Sequence, residues 1–269
     1  MDERKDTDAA NGEAIIRVEH LTARYGSNTV FDDVSFEVYP GEIFVILGGS
    51  GCGKSTMLKH MIGQFRPAAG EIFVCGENIC DAEGADYERI IENFGVMYQM
   101  GALFGSMTLR ENLRLPMEEF TDLPDDAMDA IASSKLRLVG LEGFEDYMPA
   151  EISGGMAKRA AIARAMVRDP KILFLDEPSA GLDPITSAEI DQLILKLSRA
   201  LGVTFVIVTH ELPSIYTIAD RVIMLDKETK GIIATGAPSE LRDHSDDPWV
   251  KKFFNRSAGA ADGGEGVGA

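Results

Sequence analysis

Four glycines in six positions, closed by a cation and a hydroxyl, form the segment Gly48-Gly49-Ser50-Gly51-Cys52-Gly53-Lys54-Ser55. No other stretch limits the possible folds of this chain as tightly. The apolar run Ile43–Leu47 precedes it and a helical pattern at Thr56–Ile62 follows, which is the strand–loop–helix setting such a loop requires. Glycines let the backbone wrap closely around an anion, with N–H groups pointing inward beside a helix N-terminus. Lys54 is then expected to reach the β/γ-phosphates of a nucleotide, and Ser55 to offer its hydroxyl to Mg²⁺. The nucleotide-binding set here is Gly48, Gly49, Ser50, Gly51, Cys52, Gly53, Lys54, Ser55 and Thr56. A flexible Gly-rich turn is the bland alternative, and the flanking strand and helix argue against it. Cys52 reads as a small filler, with a reachable thiol as the other option.

A second apolar run ends in acid, at Ile172-Leu173-Phe174-Leu175-Asp176-Glu177. The C-terminal end of a strand is where open α/β sheets place ligands. Asp176 suits Mg²⁺, and Glu177 suits a general base that polarises the attacking water. Adjacent acids can also be a merely solvated strand end. The phosphate loop upstream tips the balance toward chemistry.

Around these motifs the chain alternates between buried-strand and helical patterns. Strands are expected at Ile15–Val18, Val34–Val38, Ile43–Leu47, Ile72–Cys75, Phe94–Met97, Ile172–Leu175, Thr204–Val208 and Val222–Leu225. Continuous apolar runs suit central parallel strands covered on both faces. From about 100 to 166 the reading is mainly helical, with a helix start at Pro124-Asp125-Asp126 and Met128, Ile131 and Leu138 on one face. The polar start up to Glu13 and the Gly-rich end from Ser257 have too little apolar content to pack, leaving 14–256 as the folded domain. The net charge of −18 repels phosphate backbones, so no nucleic-acid partner is expected. No apolar run approaches the roughly 18 residues of a membrane span, the polar start is unlike a signal peptide, and three cysteines, odd in number and without metal-ligand spacing, argue against a disulfide framework or zinc site.

In order along the chain, Gly48–Ser55, Gln99, Ser153-Gly154-Gly155, Asp176-Glu177, Asp183 and His210 resemble the nucleotide-binding subunit of an ABC transporter. The resemblance covers roughly Ile15 to Asn255, and its defining piece is Ile152-Ser153-Gly154-Gly155-Met156, similar to the LSGGQ signature with Ile for Leu and Met for Gln. The implied fold is a RecA-like α/β P-loop core with an N-terminal antiparallel β lobe and an inserted α-helical subdomain. The implied activity is ATP hydrolysis with Mg²⁺ in a head-to-tail homodimer, where Ser153 and Gly155 of one copy face the γ-phosphate held by the other. By the same resemblance Gln99 touches Mg²⁺ and the attacking water, His210 the γ-phosphate, and Asp183 the dimer interface. The resemblance also implies that Tyr25 would stack on adenine, a contact worth roughly 1–3 kcal/mol in stacking platforms. Each also has a structural reading: Ser153 as a helix N-cap, His210 as a strand-end residue, Tyr25 as core.

Met97–Phe104, Ser106-Met107-Thr108, Glu111-Asn112-Leu113, Ser153–Ala160 and Gly181–Ser187 further resemble the ATPases of Mce/Mla-type lipid transport systems. That likeness implies phospholipid or other lipid as cargo, a permease whose coupling helix enters an apolar groove near Gln99–Phe104, an Mce-domain partner, and a peripheral place on the cytoplasmic side of the bacterial inner membrane. GALF packing inside the subdomain is the alternative for that segment. An ABC ATPase for another substrate such as an amino acid, a non-transport ABC ATPase, and a P-loop switch without turnover remain rival readings. Trp249, Phe253 and Phe254 fall on one face of a C-terminal helix, expected either to pack on its own core or to hold two copies together.

Overall fold

Runs of consecutive apolar residues fold here as strands buried on both faces, as parallel strands flanked by helices must be. The structure, a computed structural model, describes residues 12–26 and 28–255. The chain opens with β1 (Ile16–Tyr25), β2 (Asn28–Val38), β3 (Ile43–Gly48), α1 (Lys54–Met61), β4 (Ala69–Val74), β5 (Glu77–Asn78) and α2 (Ala85–Ile91). After β6 (Phe94–Met97) come α3 (Leu109–Phe120), α4 (Asp125–Leu138), a 3₁₀ turn at Pro149–Glu151 and α5 (Gly154–Ala165). There follow β7 (Ile172–Asp176), α6 (Pro184–Leu201), β8 (Thr204–Val208), α7 (Leu212–Ile218), β9 (Arg221–Leu225), β10 (Ile232–Gly236), α8 (Pro238–His244) and α9 (Pro248–Phe254).

Two sheets result. The smaller, in the order β2-β1-β4-β5, is antiparallel and forms the N-terminal lobe. The larger runs β10-β9-β3-β8-β7-β6, parallel from β9 to β6, with β10 antiparallel at its edge. Every residue of β3, β7 and β8 is buried. β8 lies between β3 and β7, with Val208 opposite both Ile46 and Asp176. The phosphate loop, the Asp176-Glu177 pair and His210 therefore leave neighbouring strands at the same end of the sheet, where such sheets bind ligands.

Between β6 and β7 only helices occur, so the helical insertion expected within this α/β fold is present. Its entry is fixed by a reciprocal cap: the Thr108 hydroxyl accepts from Glu111 N, and the Glu111 carboxylate accepts from Thr108 N at 2.7 Å. Asn112, fully buried, accepts from Phe104 N at 2.7 Å and donates to the carbonyls of Phe104, Met107 and Thr108, which pins the preceding loop.

Several boundaries differ from the sequence pattern. β1 continues past Val18 to Tyr25 because register shifts between Val18 and Leu21 and between Leu21 and Ala23 break strict alternation. β10 was not expected, since no residue of this edge strand is fully buried. The phosphate-loop helix starts at Lys54, and the signature helix at Gly154. The unfolded ends expected at 1–13 and 257–269 fall almost wholly outside the described residues.

Candidate active site

α1 begins at Lys54, so the glycine-rich loop and the first-turn N–H groups of that helix belong to one continuous turn. Gly53 has a φ of +101°, and a Cβ there would lie 2.5 Å from Val30 Cγ1 and 2.6 Å from Phe31 Cζ, so glycine alone fits. Lys54 Nζ donates to Gly48 O at 3.0 Å and Gly49 O at 3.2 Å, folded back over its own loop. Above the loop opens a cavity of about 590 Å³ whose walls include Gly49, Lys54, Glu177, His210, Trp249 and Lys252. Cys52 is 2% exposed and burial pushes its thiol up, so the filler role is the one realised and the reachable thiol is not.

Ser55 Oγ donates to Asp176 Oδ1 at 3.4 Å, linking the phosphate loop to the end of β7. Burial first, and the charge of Glu177 second, push the Asp176 carboxyl up, against the pull of Ser55, Lys59 and Lys54. Glu177 is equally buried. Its Oε1 lies 2.7 Å from His210 Nδ1, while its Oε2 is buried without any hydrogen-bond partner. The Glu177 backbone is left-handed at φ +49°, and its N–H donates to Val208 O at 2.8 Å. Such a conformation costs about 1–3 kcal/mol in a non-glycine residue and persists where its surroundings hold it. Two adjacent buried carboxylates, one of them with an orphaned oxygen, are what a divalent cation and a water would satisfy, and the donors are the hard oxygens that Mg²⁺ selects. Among the described residues no three His, Cys, Asp or Glu side chains cluster as a closed metal cage. A cation here would therefore take most of its ligands from phosphate and water, as Mg²⁺ does.

The other expected residues lie apart from this cavity. Ser153 caps α5, its Oγ accepting from Met156 N at 3.2 Å. Gly155 packs so tightly on α6 that a Cβ would fall 2.3 Å from Thr186 Cγ2, and Gly154 lies beside Leu182. Asp183 caps α6, accepting from Ile185 N at 3.0 Å and Thr186 N at 3.1 Å; the Thr186 hydroxyl, foremost, holds its carboxyl below the usual range. Neither Ser153 nor Asp183 lines the phosphate-loop cavity of its own chain. The neighbouring Ile185 is 75% exposed, a large apolar side chain left without cover.

Tyr25 is also exposed, its ring edge-on to Phe65 at 5.8 Å, with Lys59 Nζ 5.4 Å above the Phe65 ring. Phe65 was missed in the sequence, where it stands as a single aromatic with no period to mark it. Gln99 is exposed in the turn after β6, outside the cavity walls, and its carbonyl accepts from Lys158 Nζ. Leu103 packs on the core and Phe104 is half-exposed. The concave part of that face lies instead in a cleft of about 240 Å³ bounded by Tyr98, Pro116, Phe120, Arg164 and Arg168. In α9, Val250, Phe253 and Phe254 are buried in their own chain, and Tyr216 Oη donates to Phe254 O at 2.9 Å. Trp249, less buried, stacks on Phe253 at 5.7 Å and also reaches the phosphate loop, where a Cβ on Gly49 would lie 3.6 Å from its ring.

A phosphate loop facing a paired Asp-Glu across a parallel sheet defines a P-loop enzyme that hydrolyses nucleoside triphosphate. Residues 31–180 match the family model described as ABC transporter, and the chain belongs to that family: it is an ABC ATPase. It is 42% identical over 240 residues to the "Probable ribonucleotide transport ATP-binding protein mkl" of Mycobacterium leprae, covering 89% of this chain and 68% of that protein. It is 40% identical over 250 residues to the "Intermembrane phospholipid transport system ATP-binding protein MlaF" of Escherichia coli K12, covering 93% and 90%. Among solved structures, cbiO1 of Clostridium perfringens, part of the transporter complex cbiONQ, superposes with a TM-score of 0.79 at 29% identity, covering 91% of this chain and 94% of that one. A dimeric post-hydrolysis state of the ATP-binding cassette MJ0796 with ADP and Pi gives 0.74 at 28% identity, covering 82% and 98%.

Proposed function

We propose that this chain is the ATPase of an Mce/Mla-type lipid transporter, acting as a head-to-tail homodimer on the cytoplasmic face of the bacterial inner membrane. The buried, unpartnered Oε2 of Glu177 above the phosphate loop carries the hydrolytic part of this reading. That oxygen takes a proton from the attacking water, while His210 orients the carboxylate through Oε1 and faces the γ-phosphate. Lys54 leaves the loop carbonyls for the β/γ-phosphates, and the backbone of Gly48–Thr56 cradles them. Ser55 and Asp176 would hold Mg²⁺, which when bound neutralises charge on the β- and γ-phosphates, and Gln99 would join them only once its exposed turn is drawn toward the cavity. Tyr25 stacks on adenine, with Phe65 bracing its ring.

The second copy supplies Ser153, Gly154 and Gly155 at a helix N-terminus to the far side of the γ-phosphate. Asp183 and the exposed Ile185 make contact between the copies. No described helix is long and apolar enough to cross a membrane, so a separate permease provides the path, docking at the Gln99–Phe104 turn and the adjoining Tyr98–Phe120 cleft. Likeness to a protein named for intermembrane phospholipid transport, over nearly the full length of both, supports lipid as cargo; the Mce-domain protein as third component rests on the sequence resemblance alone. The mycobacterial relative named for ribonucleotide transport supports a second reading of the cargo.

Purification of the tagged chain from detergent-solubilised native membranes, with mass analysis of what accompanies it, tests this. A polytopic permease, an Mce-domain protein and bound phospholipid are expected. Ribonucleotide in place of lipid would favour the second reading, and recovery without any polytopic protein would overturn the transport role.

A further inference from the structure

α5 carries more than the signature at its start. One turn in, Lys158 reaches back between two functional turns: its Nζ donates to the carbonyl of Gln99 and to the carbonyl of Glu177 at 3.3 Å. Further along the helix Arg164 donates to Gly101 O at 3.0 Å and Ala102 O at 2.7 Å. The whole turn after β6 is thus gripped by two cations from one helix. Both ends of the grip need holding. Glu177 has φ +49° and Ala102 φ +50°, left-handed conformations that a non-glycine residue keeps only under outside constraint. The Lys158 side chain is half-buried; burial lowers its pKa, and the charges of Glu177 and Asp176 work against that lowering, which puts the ammonium within the field of both carboxylates. Nothing in the hydrolytic scheme above uses Lys158, and a solvated lysine on a helix surface would make neither main-chain contact.

We propose that Lys158 is a positioning residue for hydrolysis: its ammonium ties the Gln99 turn to the Glu177 turn and keeps the Glu177 carboxylate aimed at the attacking water. The proposal rests on the reading of Glu177 as general base. It makes the signature helix touch the reaction twice. Its N-terminus faces the partner's nucleotide, and its second turn sets the backbone beneath the base of its own. Because the same ammonium holds Gln99, a displacement of that turn is felt at the Glu177 carbonyl without any movement of the phosphate loop.

Lys158→Met keeps most of the aliphatic stem and removes the donors, whereas Lys158→Arg keeps charge and donors. With the full-length protein, Lys158→Met is expected to lower kcat about tenfold or more while shifting the KM for ATP less than about threefold, the pattern of a group that acts in the transition state only. Lys158→Arg should recover kcat to within about threefold of the parent, and both should melt within a few degrees of it. In single-turnover measurements the double variant Lys158→Met/Glu177→Gln should lose no more than Glu177→Gln alone, since one residue acts through the other. A Lys158→Met kcat within about twofold of the parent would overturn the proposal, as would an equal further loss in the double variant or a loss explained by unfolding. Glu177→Gln alone separates the two levels. If it hydrolyses normally, the base assignment fails and the proposal falls with it. If it is inactive while Lys158→Met is active, only the role of Lys158 fails.

Discussion

At Lys54 a helix start capped by Gly53 faces a walled cavity, whereas at Gly154 a helix start capped by Ser153 lies outside that cavity. Around the first, polar groups are left wanting: Glu177 Oε2 is buried without a partner, and burial holds the Asp176 carboxyl up. Around the second, nearly everything is satisfied. Ser153 caps its own helix, and Asp183 accepts from two N–H groups and a hydroxyl. The phosphate-loop half therefore holds polar groups that a ligand would satisfy. The signature half presents groups already paired within the chain, and its proposed use is to meet the nucleotide of a second copy.

Four substitutions would break or sharpen that contrast. Glu177→Gln has the largest expected effect: ATP binding persists while turnover falls at least about 10²-fold, because shape is kept and the base is lost. Near-normal turnover would take the orphaned oxygen out of the mechanism. Lys54→Ala acts on binding instead, with an ATP Kd at least about tenfold weaker by equilibrium titration, since the phosphates lose a charge-assisted donor. Ser153→Ala is expected to slow turnover about tenfold and to cost about 0.5–2 kcal/mol as a lost cap. ATP affinity of the isolated monomer should stay unchanged, because Ser153 lies outside that chain's cavity. Weakened monomer binding in this variant would erase the distinction between the halves.

The smallest effect concerns α6, the helix that Asp183 caps. Burial raises the Asp191 carboxyl from 3.8 to about 6, against a hydroxyl of Ser214. A raised folded-state pKa means that this group contributes its full stability below about pH 4 and loses it as pH rises through about 6. Asp191→Asn should then be about 1–3 kcal/mol more stable than the parent at pH 8, with the gain fading toward pH 4 in denaturant melts. ATP affinity should not move with it.

The phosphate loop, the acid-ended strand and the parallel core were legible in the sequence because each is local: a run of residues whose types and spacing serve one short element. Strand ends at Phe94, Met97, Thr204 and Val208 fall where the apolar runs do. What escaped depended on distant contacts. β10 pairs at an edge with few buried residues, so its pattern is faint. The Phe65 ring finds Tyr25 across the N-terminal lobe, and Lys158 finds two carbonyls 59 and 19 positions away, neither announced by neighbouring residues. The C-terminal aromatics had the right helix, but period alone could not tell that Phe253 and Phe254 are buried in the chain while Trp249, stacked on Phe253, stays partly exposed beside the loop.

That position of Trp249 equips the molecule with its own optical probe. It is the only tryptophan in the chain, and its indole rests against Gly49 on the wall of the cavity where phosphate would enter. An indole's emission follows the polarity and charge around it, so filling the cavity with a polyanion or emptying it must alter the light from this one ring. Occupancy of the loop can thus be followed in the unlabelled protein, in real time, from a single residue whose position in the fold is known.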